Sequence, residues 1–177
     1  MIWTFNLRQA AFHDGSPLTA EAAVAALTRA VTQPGPLSKA PIDSVETVDD
    51  SVRINLKSPY AILPAVLAHS SAIISAPASF DSEGKAQEAI GTGPFKVDEI
   101  AVPQSIRLSR FDDYWGDNAA ISGASYLATK RAETRALMAE SGDADLVFTL
   151  DPSGYQQLSG SDAASRIILY RRVFIQS

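Results

Sequence analysis

Val52, Ile54 and Leu56 point one way along a strand while Arg53, Asn55 and Lys57 point the other. That period of two follows a strand-like run from Ile42 to Val48 and a break at Asp49-Asp50-Ser51. Together these predict a hairpin with one wet face, which needs a second layer over its dry one. Trp3, Phe5 and Leu7 alternate with Thr4, Asn6 and Arg8 and predict another half-buried strand at the start. His13-Asp14-Gly15-Ser16-Pro17 has the composition of a turn, and the period then changes. Thr19 is placed to cap a helix from about Ala20 to Val31, with Ala23, Leu27, Ala30 and Val31 on one face and Pro34-Gly35-Pro36 to end it.

Further along, Ser58-Pro59 is read as the cap and first position of a short apolar helix reaching Leu67, with Pro64 inside it as a kink or a restart. Strands are expected at Ala72 to Ser75, Phe95 to Ile100, Ser105 to Arg110, Ser125 to Thr129 and Asp145 to Thr149, with one long or two short ones from Arg166 to Ile175. Residues 77 to 89 are polar and loop-like, with room for one helical turn. Helices are expected at Arg131 to Glu140, with Gly142 as left-handed terminator, and at Pro152 to Leu158. The fold class is α+β (mixed α/β): a small α+β lobe, then a sheet with helices on its faces, with a boundary near Ser109 to Gly116.

A chain of 177 residues, 46% apolar and 20% charged, can bury a real core. Its net charge of -5 argues against nucleic acid as a partner, because phosphate binding needs clustered Lys and Arg. There is no cysteine, which removes disulfides and Cys-ligated zinc. No run of eighteen apolar residues occurs. Met1-Ile2-Trp3 opens directly into strand-like sequence without the features of a signal peptide, and Val173 to Ser177 stops inside a strand-like pattern, so both ends read as cuts in a longer chain.

Catalytic patterns are missing. His13 and His69 stand 56 positions apart with no helical partner, so they read as a turn residue and a loop residue and no metal site is expected. No serine has the frame of a nucleophile elbow. Gly91-Thr92-Gly93 lacks the lysine and the helix of a phosphate loop, and Pro94 removes a backbone N–H where such a loop would supply one. Asp143 and Asp145 could form an acid pair on one side of a strand, but a solvated strand entrance is the plainer reading. No cofactor is expected.

What the chain has instead is an ordered series of motifs. Trp3-Thr4-Phe5-Asn6-Leu7-Arg8 is followed by Phe12-His13-Asp14-Gly15-Ser16-Pro17-Leu18-Thr19-Ala20-Glu21, then Leu56-Lys57-Ser58-Pro59-Tyr60 and Ala76-Pro77. Gly91-Thr92-Gly93-Pro94-Phe95 and Arg110-Phe111-Asp112-Asp113-Tyr114-Trp115-Gly116 come next, then Thr134-Arg135-Ala136-Leu137 and Gly142-Asp143-Ala144-Asp145. In this order they resemble the extracellular solute-binding proteins of family 5, the peptide, nickel and opine receptors of import systems. The resemblance implies a two-lobed clamp of the periplasmic-binding-protein type II class with an extra small domain. Residues 1–108 would be most of that extra domain and residues 109–177 the start of the first main lobe. The second lobe would lie outside this sequence.

The resemblance also implies a function: a periplasmic substrate-binding component that captures a small peptide, an opine or a chelated metal and delivers it to ABC permease subunits. Arg110 would look toward a ligand carboxylate, with a structural salt bridge to Asp112 as the other reading. The loop holding His69, Ser70 and Ser71 is a second candidate; nickel relatives carry arginines there and this chain has none, which leaves peptides or opine-like solutes more open. Tyr114 and Trp115 are expected to be core anchors rather than stacking platforms. Of Arg171 and Arg172 on the final strand, one should point inward. Half a clamp should bind weakly and leave apolar surface for self-association. The rival readings are a small hydrolase using His13 and His69, and a structural or sensory module.

Overall fold

The computed structural model describes residues 1–159. They fall in two compact units, Met1–Tyr126 and a second that begins at Leu127. The strand expected from Arg166 to Ile175, with Arg171 and Arg172, lies outside the described residues.

In the first unit, β1 (Ile2–Asn6), β2 (Ile42–Val48) and β3 (Ser51–Leu56) form an antiparallel sheet in the order β1-β3-β2. Trp3 pairs with Ile54 and Phe5 with Val52 on β3; across the hairpin Val45 pairs with Ile54. The tight turn is made possible by Asp49, whose φ is 51°, a left-handed conformation that Asp tolerates better than most residues. The dry face expected of Val52, Ile54 and Leu56 is buried. Its cover is α1 (Ala20–Thr32), whose Ala23, Leu27 and Ala30 pack on those three side chains. Thr19 caps that helix, accepting a hydrogen bond from the Ala22 N–H at 3.2 Å. At the other end of α1, Arg29 lies 3.7 Å over the Phe80 ring and donates to the Gly84 carbonyl at 2.9 Å, fastening the loop 77–89 to the helix.

Two expectations around this core need correction. The helix expected from Pro59 starts only at α2 (Leu63–Leu67). Proline has no N–H to give an interior turn, so Pro64 sits in the first turn and sets where the helix begins; Ser58 is not its cap. The strand expected at Ala72 to Ser75 is absent: Ser70–Ala72 is a 3-10 turn, and the extended residues after it meet a backbone partner only at Ala76, whose N–H donates to the Ile90 carbonyl at 2.9 Å.

The second sheet of this unit holds β4 (Phe95–Ala101), β5 (Ser105–Arg110) and β6 (Gly123–Leu127) in that order, with β4 and β5 antiparallel and a bulge between Val97 and Glu99. The third strand was expected at Ser125 to Thr129 and lies two residues earlier. Gly123 lets the backbones close together there: a Cβ on it would stand 2.7 Å from the Leu108 carbonyl oxygen. The Thr129 carbonyl is also taken elsewhere, accepting from Arg135 Nη1 at 2.7 Å.

In the second unit, α3 (Ala132–Ser141) ends at Gly142 with φ 81°, the expected left-handed stop. It packs on α4 (Pro152–Ser159), where Ala136 and Leu158 are buried. Asp151 caps α4, accepting from the Gly154 N–H at 2.7 Å and the Ser153 hydroxyl at 3.0 Å, and these bonds hold its carboxyl below the usual range. The strand expected at Asp145 to Thr149 does not form among the described residues. Thr149 turns left-handed with φ 57°, and its carbonyl accepts from Arg135 Nη2 at 2.7 Å in place of a strand neighbour.

Candidate functional site

Three of the motif segments meet in one place in the first unit. Phe12 is fully buried with Ala22 and Ala76, and so anchors the turn that follows it. Asp14 accepts from both the backbone N–H and the hydroxyl of Ser16, at 3.0 and 2.6 Å. Those two bonds hold its carboxyl below the ordinary carboxylate value. Gly15 supplies the positive φ, 84°, that the turn requires.

His13 points from this turn to the segment 91–93. Its backbone N–H donates to the Gly91 carbonyl at 2.9 Å. The Gly91 N–H donates in return to Nδ1 at 3.3 Å, and Nε2 lies 3.0 Å from the Gly93 carbonyl. A backbone N–H can only donate and a carbonyl can only accept, so the ring carries its proton on Nε2. The ring meets the buried Phe111 edge-on, with centroids 5.1 Å apart. Phe111 is tied in turn to the same segment, its N–H donating to the Pro94 carbonyl at 2.9 Å.

Trp115 closes the other side. Its Nε1–H donates to the Thr92 carbonyl at 3.1 Å, and the Arg8 guanidinium lies 3.7 Å over its ring. It is 43% exposed, so it is not the core anchor expected from the sequence; Phe111 has that place. Trp115 serves as a surface clasp because its indole N–H needs a partner and finds one on a loop carbonyl. Tyr114 lies beside it with the rings tilted by 48° and centroids 4.7 Å apart, and Gly116 leaves room for the tyrosine ring.

Arg110 stands at the end of β5. Nε pairs with Asp112 at 2.7 Å and Nη1 donates to the Ala119 carbonyl at 3.2 Å, with the side chain 33% exposed. The salt bridge that the sequence offered as an alternative is therefore present. His69 caps the 3-10 turn after α2: Nδ1 accepts from the Ser71 N–H at 3.1 Å and meets its hydroxyl at 3.0 Å. Ser71 packs against Gly35, where a Cβ would come within 2.9 Å of its Oγ. Ser70 starts that turn and is exposed. His69 and Ser71 belong to a local cap, and His13 contacts neither. Between the segment 87–90 and β4 there is a cleft of about 500 Å³ lined by His13, Asp14, Glu88, Lys96, Asp98 and Glu99 among others.

Chemically, the junction holds shape. In the neutral ring both His13 nitrogens are engaged by backbone groups, so a substrate proton would have to displace the Gly91 N–H from Nδ1. Among the described residues no group of three or more His, Asp or Glu could hold a metal ion. Asp143 accepts from Ser141 at 2.8 Å and closes the end of α3, so neither the expected solvated strand entrance nor the alternative acid pair with Asp145 has a strand to carry it. The Arg8–Trp115 contact has no local sequence signal, and for the His69–Ser71 cap the one signal is a His two residues before a Ser at a turn entrance.

The family model described as bacterial extracellular solute-binding proteins, family 5 Middle, matches residues 1–172. The chain belongs to this family. Glutathione-binding protein GsiB of Pectobacterium atrosepticum is 28% identical to the family 5 chain over 174 residues, which is 92% of the chain and 34% of that protein. An ABC transporter substrate-binding protein from Sinorhizobium meliloti superposes with a TM-score of 0.80 at 28% identity, covering 90% of this chain and 35% of the other. The binding protein AgaA in complex with agropinic acid, from A. tumefacien R10, gives 0.80 at 26%, covering 91% and 34%. This family 5 chain thus spans about a third of the length of the relatives it matches. Residues of three of its motifs build the junction, and no helix among its described residues is long and apolar enough to cross a membrane.

Proposed function

We propose that this chain is part of the substrate-binding component of an ABC importer, which captures a small peptide or related solute in the periplasm and presents it to a membrane permease. The family match across residues 1–172, with relatives named for glutathione and agropinic acid, carries this reading. It is a binding role without catalysis, in which ligand favours a closed form through contacts made only on closure. Residues 1–108 are assigned to the extra domain and residues 109–177 to the start of the first main lobe. The compact units of this chain divide after Tyr126.

Arg110 is the proposed ligand contact from this part of the cleft. Asp112 and Ala119 fix the plane of its guanidinium, and a pre-oriented fork suits a carboxylate. His69, Ser70 and Ser71 are secondary candidates, as is one of Arg171 and Arg172. A nickel chelate or an opine is the alternative cargo; a nickel ABC transporter structure from Bacillus halodurans is 26% identical with a TM-score of 0.79. The hydrolase reading is disfavoured because His13 is spent on backbone bonds and does not meet His69.

The test is calorimetric titration of the product of the complete open reading frame with short peptides including glutathione, with opines and with nickel chelates. Saturable heat from one class, reduced about tenfold or more in affinity by Arg110→Ala, is the expected result. A folded protein that binds none of the three classes overturns the proposal.

A further inference from the structure

We propose that His13 is an acid-released latch, closed when its ring is neutral and opened when the ring takes a second proton. The closed form is the one described: Nε2–H on the Gly93 carbonyl at 3.0 Å and Nδ1 receiving the Gly91 N–H at 3.3 Å. A second proton must go to Nδ1, the nitrogen that still has a lone pair in the ring plane. It would then face the Gly91 N–H donor to donor, and that bond is lost while the one to Gly93 can remain. An N–H left unpaired in a partly buried place carries part of the cost of its desolvation.

The surroundings give the charged ring somewhere to turn. His13 also lines the cleft, where the charged neighbours are Asp14 on its own turn, Glu88 on the adjoining segment, and Lys96, Asp98 and Glu99 on β4. Asp14 is held ionised by Ser16, Asp98 accepts from Ser109 at 2.8 Å, and Glu99 is paired with Arg107. The segment 91–93 brings no charged side chain, and Phe111 brings only its ring. Four carboxylates, set against the Lys96 ammonium and the Arg107 guanidinium that pairs with Glu99, leave the cleft net negative and a counter-charge for an imidazolium that has lost its Gly91 bond. Because the segment 91–94 also holds Trp115 through Thr92 and Phe111 through Pro94, losing the Gly91 N–H bond weakens one tie where three motif segments are joined, while the His13 N–H stays on the Gly91 carbonyl at 2.9 Å.

The experiment follows the ¹⁵N-labelled chain from about pH 8 to about pH 5, reading the imidazole nitrogens of His13 and the exchange protection of the Gly91 amide. The expected result is an Nε2–H tautomer at the upper pH and a fall in Gly91 protection of about tenfold or more as His13 titrates. In His13→Asn, whose carbonyl can accept from Gly91 at any pH, the profile should be flat; His69→Gln should behave as the wild type. An Nδ1–H tautomer, a ring that stays neutral throughout, or Gly91 protection that ignores the titration overturns the latch. So does a fall that survives in His13→Asn or disappears in His69→Gln. The wild-type readings decide the matter alone if a variant fails to fold.

Discussion

Gly15 and Gly123 look alike in the sequence and differ in what they do. Gly15 is there for its φ of 84°, with open space around the missing Cβ, so Gly15→Ala should cost about 1 kcal/mol in denaturant unfolding. Gly123 is there for closeness. A methyl group would meet the backbone oxygen of Leu108, which cannot rotate away, so Gly123→Ala should cost about 1–3 kcal/mol and shift the β5–β6 pairing in hydrogen exchange. The first role was legible, because Asp-Gly before Ser-Pro is turn chemistry. The second depended on which strand lies alongside, information that no local pattern holds.

Asp81 gives a residue-scale prediction with a sign. It accepts from the Lys85 N–H, then from Gln87 and the Glu83 N–H, and these bonds hold its carboxyl below the ordinary carboxylate value. A carboxyl lowered in the folded state adds stability above its unfolded value, and that stability is lost as the pH falls through the folded value. Asp81→Asn should therefore be less stable than the wild type near neutral pH, and the difference in melting temperature should shrink as the pH falls and vanish once the folded-state carboxyl is protonated. A gap that persists at low pH would show that the carboxylate charge is not what holds the loop.

At the scale of elements, the pairing of α1 with the β1-β3-β2 sheet was the part most open to sequence reading. Val52, Ile54 and Leu56 alternate without exception, and the helix has a capping residue before it and prolines after it. Ile54 is wholly buried at the centre of this layer, and Ile54→Ala should cost about 2–5 kcal/mol in thermal or denaturant unfolding. The misreadings share a cause. Ala72 to Ser75 and Asp145 to Thr149 have the composition of strands, yet a strand exists only where a neighbour offers a ladder. At Thr149 the carbonyl is held by Arg135, whose guanidinium also reaches Thr129 and Lys130. Arg135→Met should keep α3 but free both flanks, seen as faster amide exchange at Lys130 and Leu150.

For the molecule as a whole, composition excluded classes of function and motif order supplied one. Neither showed how the motifs are used. His13 and Trp115 were read apart, as a turn residue and a core residue, and they turned out to grip the same three-residue segment from two sides. The second unit leaves Leu146 and Phe148 70% and 66% exposed. In sedimentation velocity the 177-residue chain should associate as its concentration rises, and the double change Leu146→Ser with Phe148→Ser should return it toward monomer. Monomer at every concentration in the wild type would count against that surface.

The clasp at Trp115 has a practical use. The chain has only one other tryptophan, Trp3, so Trp3→Phe would leave a single indole emitter, seated beneath a cation and bonded to Thr92. Its brightness and colour would then follow the Arg8 guanidinium moving on or off the ring, giving an unlabelled optical gauge of strain where the segments around Arg8, Thr92 and Trp115 join.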